Sequence, residues 1–328
     1  MTEILSLAAG NLLSPMVLFF ALGLAAGLAR SDLAVPEVLA KGMALYLMLA
    51  IGLKGGVALS ETGLTLAVIA MLALGAALSF LLPFFAFFLL RATTGMSATD
   101  AGSVAAHYGS ISVVTFVAAS TFLTEVGVAH SGAMVAVVAL METPAIAAGL
   151  LLVHMNRQKT ADSEPEVGGR LVREILLNGS IVLLMGSFVI GWITGSEGLE
   201  AVSPFVVDPF KGVLCLFLLD MGLVAASRLR EAKGIGPSAL LFGIYMPLIS
   251  AAVGCGLAAL LGVQAGDVML FGLLAASASY IAVPAAMRLA LPDANPSISL
   301  CLSLGITFPF NLAIGIPLYL GFARWLTG

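Results

Sequence analysis

Charged residues and cysteines are scarce in this sequence, and each shortage excludes a class of protein. Asp, Glu, Lys and Arg make up only 10% of the 328 residues, whereas they make up about 25% of an ordinary soluble domain. A net charge of -4 without a basic patch does not indicate nucleic-acid binding. Three cysteines lie in apolar segments without paired spacing and predict neither disulfides nor a transition-metal site: Cys215, Cys255 and Cys301.

Hydrophobic residues are abundant, at 60% of the chain, and this excess of apolar surface needs a lipid bilayer as its solvent. A helix that spans a bilayer needs about 20 mostly apolar residues. Ten runs of suitable length occur, near residues 13–29, 41–59, 64–90, 101–122, 131–154, 174–194, 205–227, 237–262, 267–287 and 297–322. We therefore predict an all-α polytopic membrane protein with ten transmembrane helices.

One long hydrophilic segment divides the chain near its middle. Residues 156–173 contain Lys, Arg, Asp, Glu, Pro and paired Gly, which is the composition of a linker. They separate residues 1–155 from residues 174–328, and each part holds five runs. Basic residues follow the odd-numbered runs: Arg30, Lys41, Arg91, Arg157, Lys159, Arg170, Arg173, Arg228, Arg230, Lys233 and Arg288. By the positive-inside rule, the linker is cytoplasmic and both termini lie outside the plasma (inner) membrane.

The two halves resemble each other in sequence. Three pairs of segments match in the same order: Lys41 to Leu53 with Lys211 to Leu223, Asp100 to Ser112 with Asp267 to Ser279, and Thr143 to Ile146 with Phe308 to Asn311. Because each half has an odd number of runs, the second half must enter the membrane from the opposite side. This gives two inverted five-helix repeats, an arrangement common in secondary transporters. Chance similarity between apolar segments is the alternative.

Runs four and nine have the composition of discontinuous helices. Each carries small residues and hydroxyl groups in its middle, at the same position in its repeat. Where such helices cross in a carrier, the N-termini of the half-helices present free backbone N–H groups to an anion. We predict a substrate site formed by Gly109, Ser110, Ser112, Ala276, Ser277 and Ser279. The alternative is that these small residues only allow close packing of helices.

Two acidic residues lie within the apolar runs, Asp220 in run seven and Glu142 in run five. A charge inside a membrane is costly unless it is paired or hydrated. Oxygen ligands suit a hard cation, so we predict a sodium site from Asp220, Glu142, Thr143 and Asn311. No other cofactor is expected. Two structural roles remain open: Glu142 as the partner of a buried base, and Asp220 as a hydrogen-bond acceptor.

Some further residues receive no transport role from the sequence. Lys54 lies near the outer end of run two, where a long basic side chain extends to the membrane interface. His107 is interpreted as a core or interfacial residue. Two pairs of glycines have the spacing typical of helix contacts: Gly23 with Gly27, and Gly52 with Gly56.

Several segments carry a resemblance to a known family: Leu12 to Pro15, Arg30 to Leu33, Pro36-Glu37, Ala40 to Gly42, Leu49 to Gly56 and Ser277 to Arg288. They closely resemble the cyanobacterial sodium-dependent bicarbonate transporter family, and the likeness covers nearly the whole chain. It implies a core domain and a gate domain, a homotrimer, and import of bicarbonate with sodium as the coupling ion. It places bicarbonate near Ser110, Ser112, Ser277 and Ser279. Members of that family are often regulated by a PII-like protein that binds the cytoplasmic face.

Other functions remain open at this stage. One is a carrier of another small carboxylate, and a second is a sodium/proton exchanger that uses Asp220 and Glu142. A third, from a different class, is a membrane ion sensor that binds the ion without moving it. An enzyme is not expected, because the sequence shows no nucleophile and base pair, metal cluster or catalytic dyad.

Overall fold

The computed structural model describes residues 9–156, 179–231, 235–280, 283–284, 287, 291 and 293–328. Within these ranges the chain is helical and contains no β-strand, so the predicted all-α class is confirmed. The predicted linker 156–173 lies outside the described residues, apart from Asn156, which ends a helix. The division into residues 1–155 and 174–328 stays a prediction.

Twelve helices are numbered here in chain order: α1 Pro15–Leu28, α2 Glu37–Thr62, α3 Leu66–Thr93, α4 Ala98–Gly109, α5 Val113–Glu125, α6 Met134–Leu140, α7 Glu142–Asn156, α8 Gly179–Val206, α9 Phe210–Glu231, α10 Pro237–Leu260, α11 Ala265–Ala276 and α12 Pro296–Thr327. Each lies within or across one of the predicted apolar runs. Run four contains α4 and α5, and run five contains α6 and α7.

Eight helical segments of the described chain are long and apolar enough to cross a membrane. They are α2, α3, α4 with α5, α6 with α7, α8, α9, α10 and α12. The other two, α1 and α11, are apolar but have only 14 and 12 residues. The polytopic membrane class therefore holds, whereas the count of ten spans stays a prediction.

Helix α8 consists of two helical segments that are joined at Gly195. The apolar run ends near residue 194, and the backbone leaves the helical conformation at Gly195, where φ is +59° and ψ is -156°, so the end of the first segment agrees with the run. A second segment continues to Val206, and most of its side chains are exposed. The apolar run does not include this second segment, because polar helix formers form part of it.

Glycines set the contacts between α1 and α9 and between α2 and α8. A Cβ atom added to Gly23 would stand 2.0 Å from the carbonyl oxygen of Leu219, and one added to Gly56 would stand 1.9 Å from that of Phe188. No larger residue fits without moving a helix. The close contacts of Gly23, Gly27, Gly52 and Gly56 confirm the predicted helix-contact role of these glycines. We call α1, α2, α8 and α9 the four-helix group.

The remaining helices form a second group, the eight-helix group, α3 to α7 and α10 to α12. Helix α4 packs against α3 and α7, and α11 packs against α10 and α12. Prolines lie inside α3 and α10, at Pro83 and Pro247. Pro247 has no N–H for the carbonyl of Gly243, one turn earlier. The hydroxyl of Thr307 in α12 donates to this carbonyl at 2.7 Å, so the missing bond is replaced by a contact between helices.

Helix α12 is irregular in its middle, with π-helical turns at Cys301–Thr307 and Asn311–Gly315. Pro317 again removes a donor for the preceding turn. The side-chain amide of Asn11 donates to the carbonyl oxygens of Leu312 at 2.8 Å and Ala313 at 3.2 Å. The segment before α1 thus stabilises the irregular part of α12.

Candidate functional site

Both predicted helix interruptions are present. Helix α4 ends at Gly109, Ser110 is extended with φ -91° and ψ 166°, and α5 begins at Val113. Helix α11 ends at Ala276, and Ser277 is extended with φ -81° and ψ 164°. In each case the chain leaves the helix at a serine in the middle of the apolar run.

The two interruptions cross each other in direct contact. The backbone N–H of Ser112 donates to the hydroxyl of Ser277 at 3.0 Å. The backbone N–H of Ser279 donates to the carbonyl of His107 at 2.9 Å. The structure therefore brings together the two stretches that the sequence singled out, although they are more than 160 residues apart.

Two carboxylates fix the far ends of the crossing helices. Asp100, in the first turn of α4, accepts the backbone N–H of Asn295 at 2.8 Å. Asp267, in the first turn of α11, accepts the backbone N–H of Ser131 at 2.6 Å. Asp100 on α4 thus binds the backbone that leads into α12, and Asp267 on α11 binds the backbone that leads into α6. These aspartates are also where the second sequence match between the halves begins.

The crossing is closed to solvent. Ser110 and Ser277 are each 1% exposed, Ser279 is 2% exposed and Ser112 is 4% exposed. Gly109 and Ala276 are buried as well. A polar group in this place must find its partners within the protein or in a bound ion.

The serines at the crossing have different tasks. Ser112 caps α5, since its hydroxyl accepts the backbone N–H of Thr115 at 3.2 Å and the hydroxyl of Thr115 at 2.8 Å. The hydroxyl of Ser277 donates to the carbonyl of Leu274 at 2.9 Å. The buried hydroxyl of Ser110 has no partner in the described part of the chain. The hydroxyls of Ser112 and Ser277 stabilise the interruptions, whereas the hydroxyl of Ser110 remains available for a hydrogen bond.

The start of α5 offers further donors. Among the described residues, the backbone N–H groups of Val113 and Val114 have no acceptor, as is usual in the first turn of a helix. The helix dipole also places positive partial charge at this end. With Ser110 beside it, this point of the structure has the chemistry of a small-anion site.

Gly109 and Ala276 are the last residues of α4 and α11, at the C-terminal ends of these half-helices. Gly109 serves packing, and the carbonyl of Ala276 is capped. A Cβ atom on Gly109 would stand 2.3 Å from the ring of Pro83 in α3, which supports the packing alternative for this residue. The carbonyl of Ala276 accepts the side-chain amide of Asn311 at 2.9 Å. The hydroxyl of Tyr319 donates to the amide oxygen of Asn311 at 2.9 Å. Asn311 therefore lies at the crossing, and its amide oxygen accepts one hydrogen bond there and keeps a second lone pair.

The other predicted sodium ligands are buried elsewhere. Glu142, 5% exposed, begins α7 directly after a break in the helix at Met141. Thr143 follows it, and its side chain lies outside the described part of the structure. Asp220, 6% exposed, lies in α9 of the four-helix group. Within the described structure, no hydrogen bond or ion pair joins Asp220 or Glu142 to the crossing or to each other.

Sequence reasoning missed two features around the crossing. The hydroxyl of Tyr108 contacts that of Thr307 at 2.6 Å, which links α4 to the Thr307 bond on α10. His107 donates its Nδ1–H to the carbonyl of Ser103, while its buried Nε2 has no described partner and a cavity of about 160 Å³ lies beside the ring. No spacing in the sequence marks either feature, because Thr307 and most residues that line the cavity beside His107 come from distant segments.

A polytopic helical membrane protein with a buried crossing of interrupted helices is the class that this fold and site define. The family can be stated as well. The chain belongs to the Na+-dependent bicarbonate transporter superfamily, whose family model matches residues 15–324. This match confirms the resemblance found in the sequence. No curated protein shows a significant match to the chain.

Proposed function

We propose that this protein is a secondary active transporter that imports bicarbonate together with sodium by alternating access. The observation that carries the proposal is the buried hydroxyl of Ser110. This hydroxyl has no described partner, and it lies next to the free N–H groups that begin α5. Family membership implies bicarbonate and sodium as the transported ions. A planar anion with three oxygens suits a site made of several hydrogen-bond donors.

The contacts of the two halves support an inverted repeat. Helix α1 packs on α9 while α2 packs on α8, as expected if α1 corresponds to α8 and α2 to α9. The two Asp anchors are exchanged in the same way: Asp100 binds the N–H of Asn295, and Asp267 binds that of Ser131. Such reciprocal contacts follow naturally from a pseudo-twofold axis in the membrane plane.

In the mechanism that we propose, the four-helix group is the gate and the eight-helix group is the core. The glycine contacts hold the gate helices at short distances, and the crossing is bonded within the core. Bicarbonate binds at the crossing through Ser110 and the first N–H groups of α5. The core then moves against the gate and exposes the site to the other side.

Sodium has an electrical role in this mechanism. Importing one anion against an inside-negative potential costs about 2.3 kcal/mol per 100 mV. One sodium ion that enters with the anion cancels this cost, and the sodium gradient then drives accumulation. Carbonyl groups at the C-terminal ends of half-helices attract a cation. The candidate ligands remain Asp220, Glu142, Thr143 and Asn311, and the amide oxygen of Asn311 has a second lone pair beside the one that accepts the Tyr319 hydroxyl.

Uptake of labelled bicarbonate into proteoliposomes tests the proposal. At fixed pH, an inward sodium gradient should produce accumulation, and a potassium gradient of equal size should not. Competition by formate or acetate would indicate a carrier of small carboxylates instead. Proton release coupled to sodium, without bicarbonate flux, would indicate an exchanger. Binding without any flux would indicate a sensor.

The assembly and its orientation are part of the proposal. We propose a homotrimer in the plasma (inner) membrane, with both termini outside and with a PII-like protein as a partner on the cytoplasmic face. The mass of the purified particle tests the trimer. Labelling of single cysteines placed in the loops, from one side of intact cells, tests the orientation.

A further inference from the structure

A second polar region lies between the two groups of helices, away from the crossing. It is a cavity of about 480 Å³, which we call the Lys54 cavity. Helices α2 and α9 of the four-helix group form one wall, and α5 with the loop before α6 forms the other. Residues that line it include Lys54, Phe116, Ser120, Thr121, His130 and Lys211.

Lys54 is a partly buried cation in this cavity, and no carboxylate of the described residues pairs with it. Its ammonium group lies 4.2 Å from the centre of the Phe210 ring, and the described residues place no acidic group within ion-pair distance of it. Lys211, in contrast, is paired with Glu125 at 2.9 Å. Asp208 also lines the cavity but is exposed, so water screens its charge.

The other lining groups do not compensate the charge of Lys54. Burial lowers the pKa of the His130 imidazole and so disfavours a positive charge on this ring. The hydroxyls of Ser120 and Thr121 both donate to the carbonyl of Val117, at 3.1 Å and 2.8 Å. The cavity therefore has a polar wall and one unneutralised ammonium group, which together attract a hydrated anion.

We propose that the Lys54 cavity is a capture site for the transported anion, at the mouth of the pathway between gate and core. This inference rests on the proposed function, which also places this end of α2 outside the cell. Lys54 raises the local concentration of a small monovalent anion before the anion moves inward to the crossing. The sequence alone had given this lysine only a place at the membrane interface.

Transport kinetics with matched variants test the capture site. At low ionic strength, Lys54→Met should raise the KM for bicarbonate on the order of tenfold with little change in kcat, and Lys54→Arg should keep the KM of the parent. Lys41→Met is the control, because Lys41 lies in the same helix, is exposed and is paired with Glu37. The effect should shrink as a choline salt raises the ionic strength. An unchanged KM in Lys54→Met, or an equal effect in Lys41→Met, would overturn the proposal.

A second measurement does not depend on transport. Val207 lines the same cavity and is 39% exposed, so Val207→Cys provides a reporter thiol. Cys215 is replaced by Ser, while Cys255 and Cys301 are buried. Two modification rates of this thiol are compared, one with an anionic and one with a cationic methanethiosulfonate. Adding Lys54→Met should lower the ratio of the anionic rate to the cationic rate severalfold. An unchanged ratio would refute the capture site. A lowered ratio in a protein that moves no bicarbonate would keep the anion site and refute the proposed function.

Discussion

Replacing Ser110 by alanine should weaken substrate binding without weakening the fold. Within the described structure its buried hydroxyl makes no hydrogen bond, so the substitution removes no internal contact. A hydrogen bond to a charged group contributes about 1.5 to 3 kcal/mol, and about 1.4 kcal/mol corresponds to a tenfold change in affinity. We therefore expect Ser110→Ala to raise the KM for bicarbonate about 10- to 150-fold. The unfolding temperature should stay the same or rise, because the substitution removes a buried hydroxyl that has no described partner.

Ser277→Ala is the matched comparison, because this hydroxyl is fully used inside the protein. The substitution breaks the bond to the Leu274 carbonyl and leaves the N–H of Ser112 buried without its acceptor. An unsatisfied buried group of this kind costs about 1 to 3 kcal/mol. Ser277→Ala should therefore lower the unfolding temperature in detergent, whatever it does to transport.

The two variants are measured side by side by initial rates of sodium-driven uptake and by thermal unfolding of the purified protein. A normal KM in Ser110→Ala would remove this hydroxyl from the substrate site. A large loss of stability in Ser110→Ala would contradict its unpartnered state. Equal stability of Ser277→Ala and the parent would contradict the bonds at the crossing.

The remaining predictions concern packing and the cation. Gly56→Ala forces a methyl group against a backbone oxygen 1.9 Å away and should destabilise the protein by about 1 to 3 kcal/mol, whereas Gly42→Ala in the same helix has open space and should be neutral or slightly stabilising in thermal unfolding. Asn11→Ala leaves two carbonyls of α12 without their donor and should lower the unfolding temperature, with Asn11→Gln as a partial rescue. If Asp220 or Glu142 binds sodium, Asp220→Asn or Glu142→Gln should raise the sodium concentration that gives half-maximal uptake. An unchanged sodium dependence in either variant would remove that residue from the cation site.

Much of the fold could be predicted from the sequence, because membrane helices leave a strong apolar signal. The interruptions at Ser110 and Ser277 could be found as well, since small residues and hydroxyls stand out within apolar runs. Helical segments outside the apolar runs were harder to predict, as the exposed second segment of α8 after Gly195 shows. Hydrophobicity indicates where lipid contact stops, and it does not indicate whether a further helix follows.

Contacts between distant segments could not be predicted from spacing. Nothing near Asn11 in the sequence indicates that its amide serves carbonyls about 300 residues away. The same holds for Thr307, which replaces the bond that Pro247 removes from Gly243. The sequence predicted the candidate site as one set of residues, and the structure shows that their contacts differ. The hydroxyl of Ser110 has no described partner, while Ser112, Ser277 and Asn311 bond across the crossing.

The position of the two polar regions gives a reason why the proposed capture and the proposed binding use separate residues. The crossing lies within the eight-helix group, where reciprocal bonds at its centre and the Asp100 and Asp267 anchors at its ends make it one unit. The Lys54 cavity lies between that unit and the four-helix group, so its shape would change in the movement that we propose. A strong anion site placed there would hold the substrate back during the movement. A single lysine at the mouth and neutral donors at the crossing avoid this, since attraction acts over a distance and the tighter contacts form only inside.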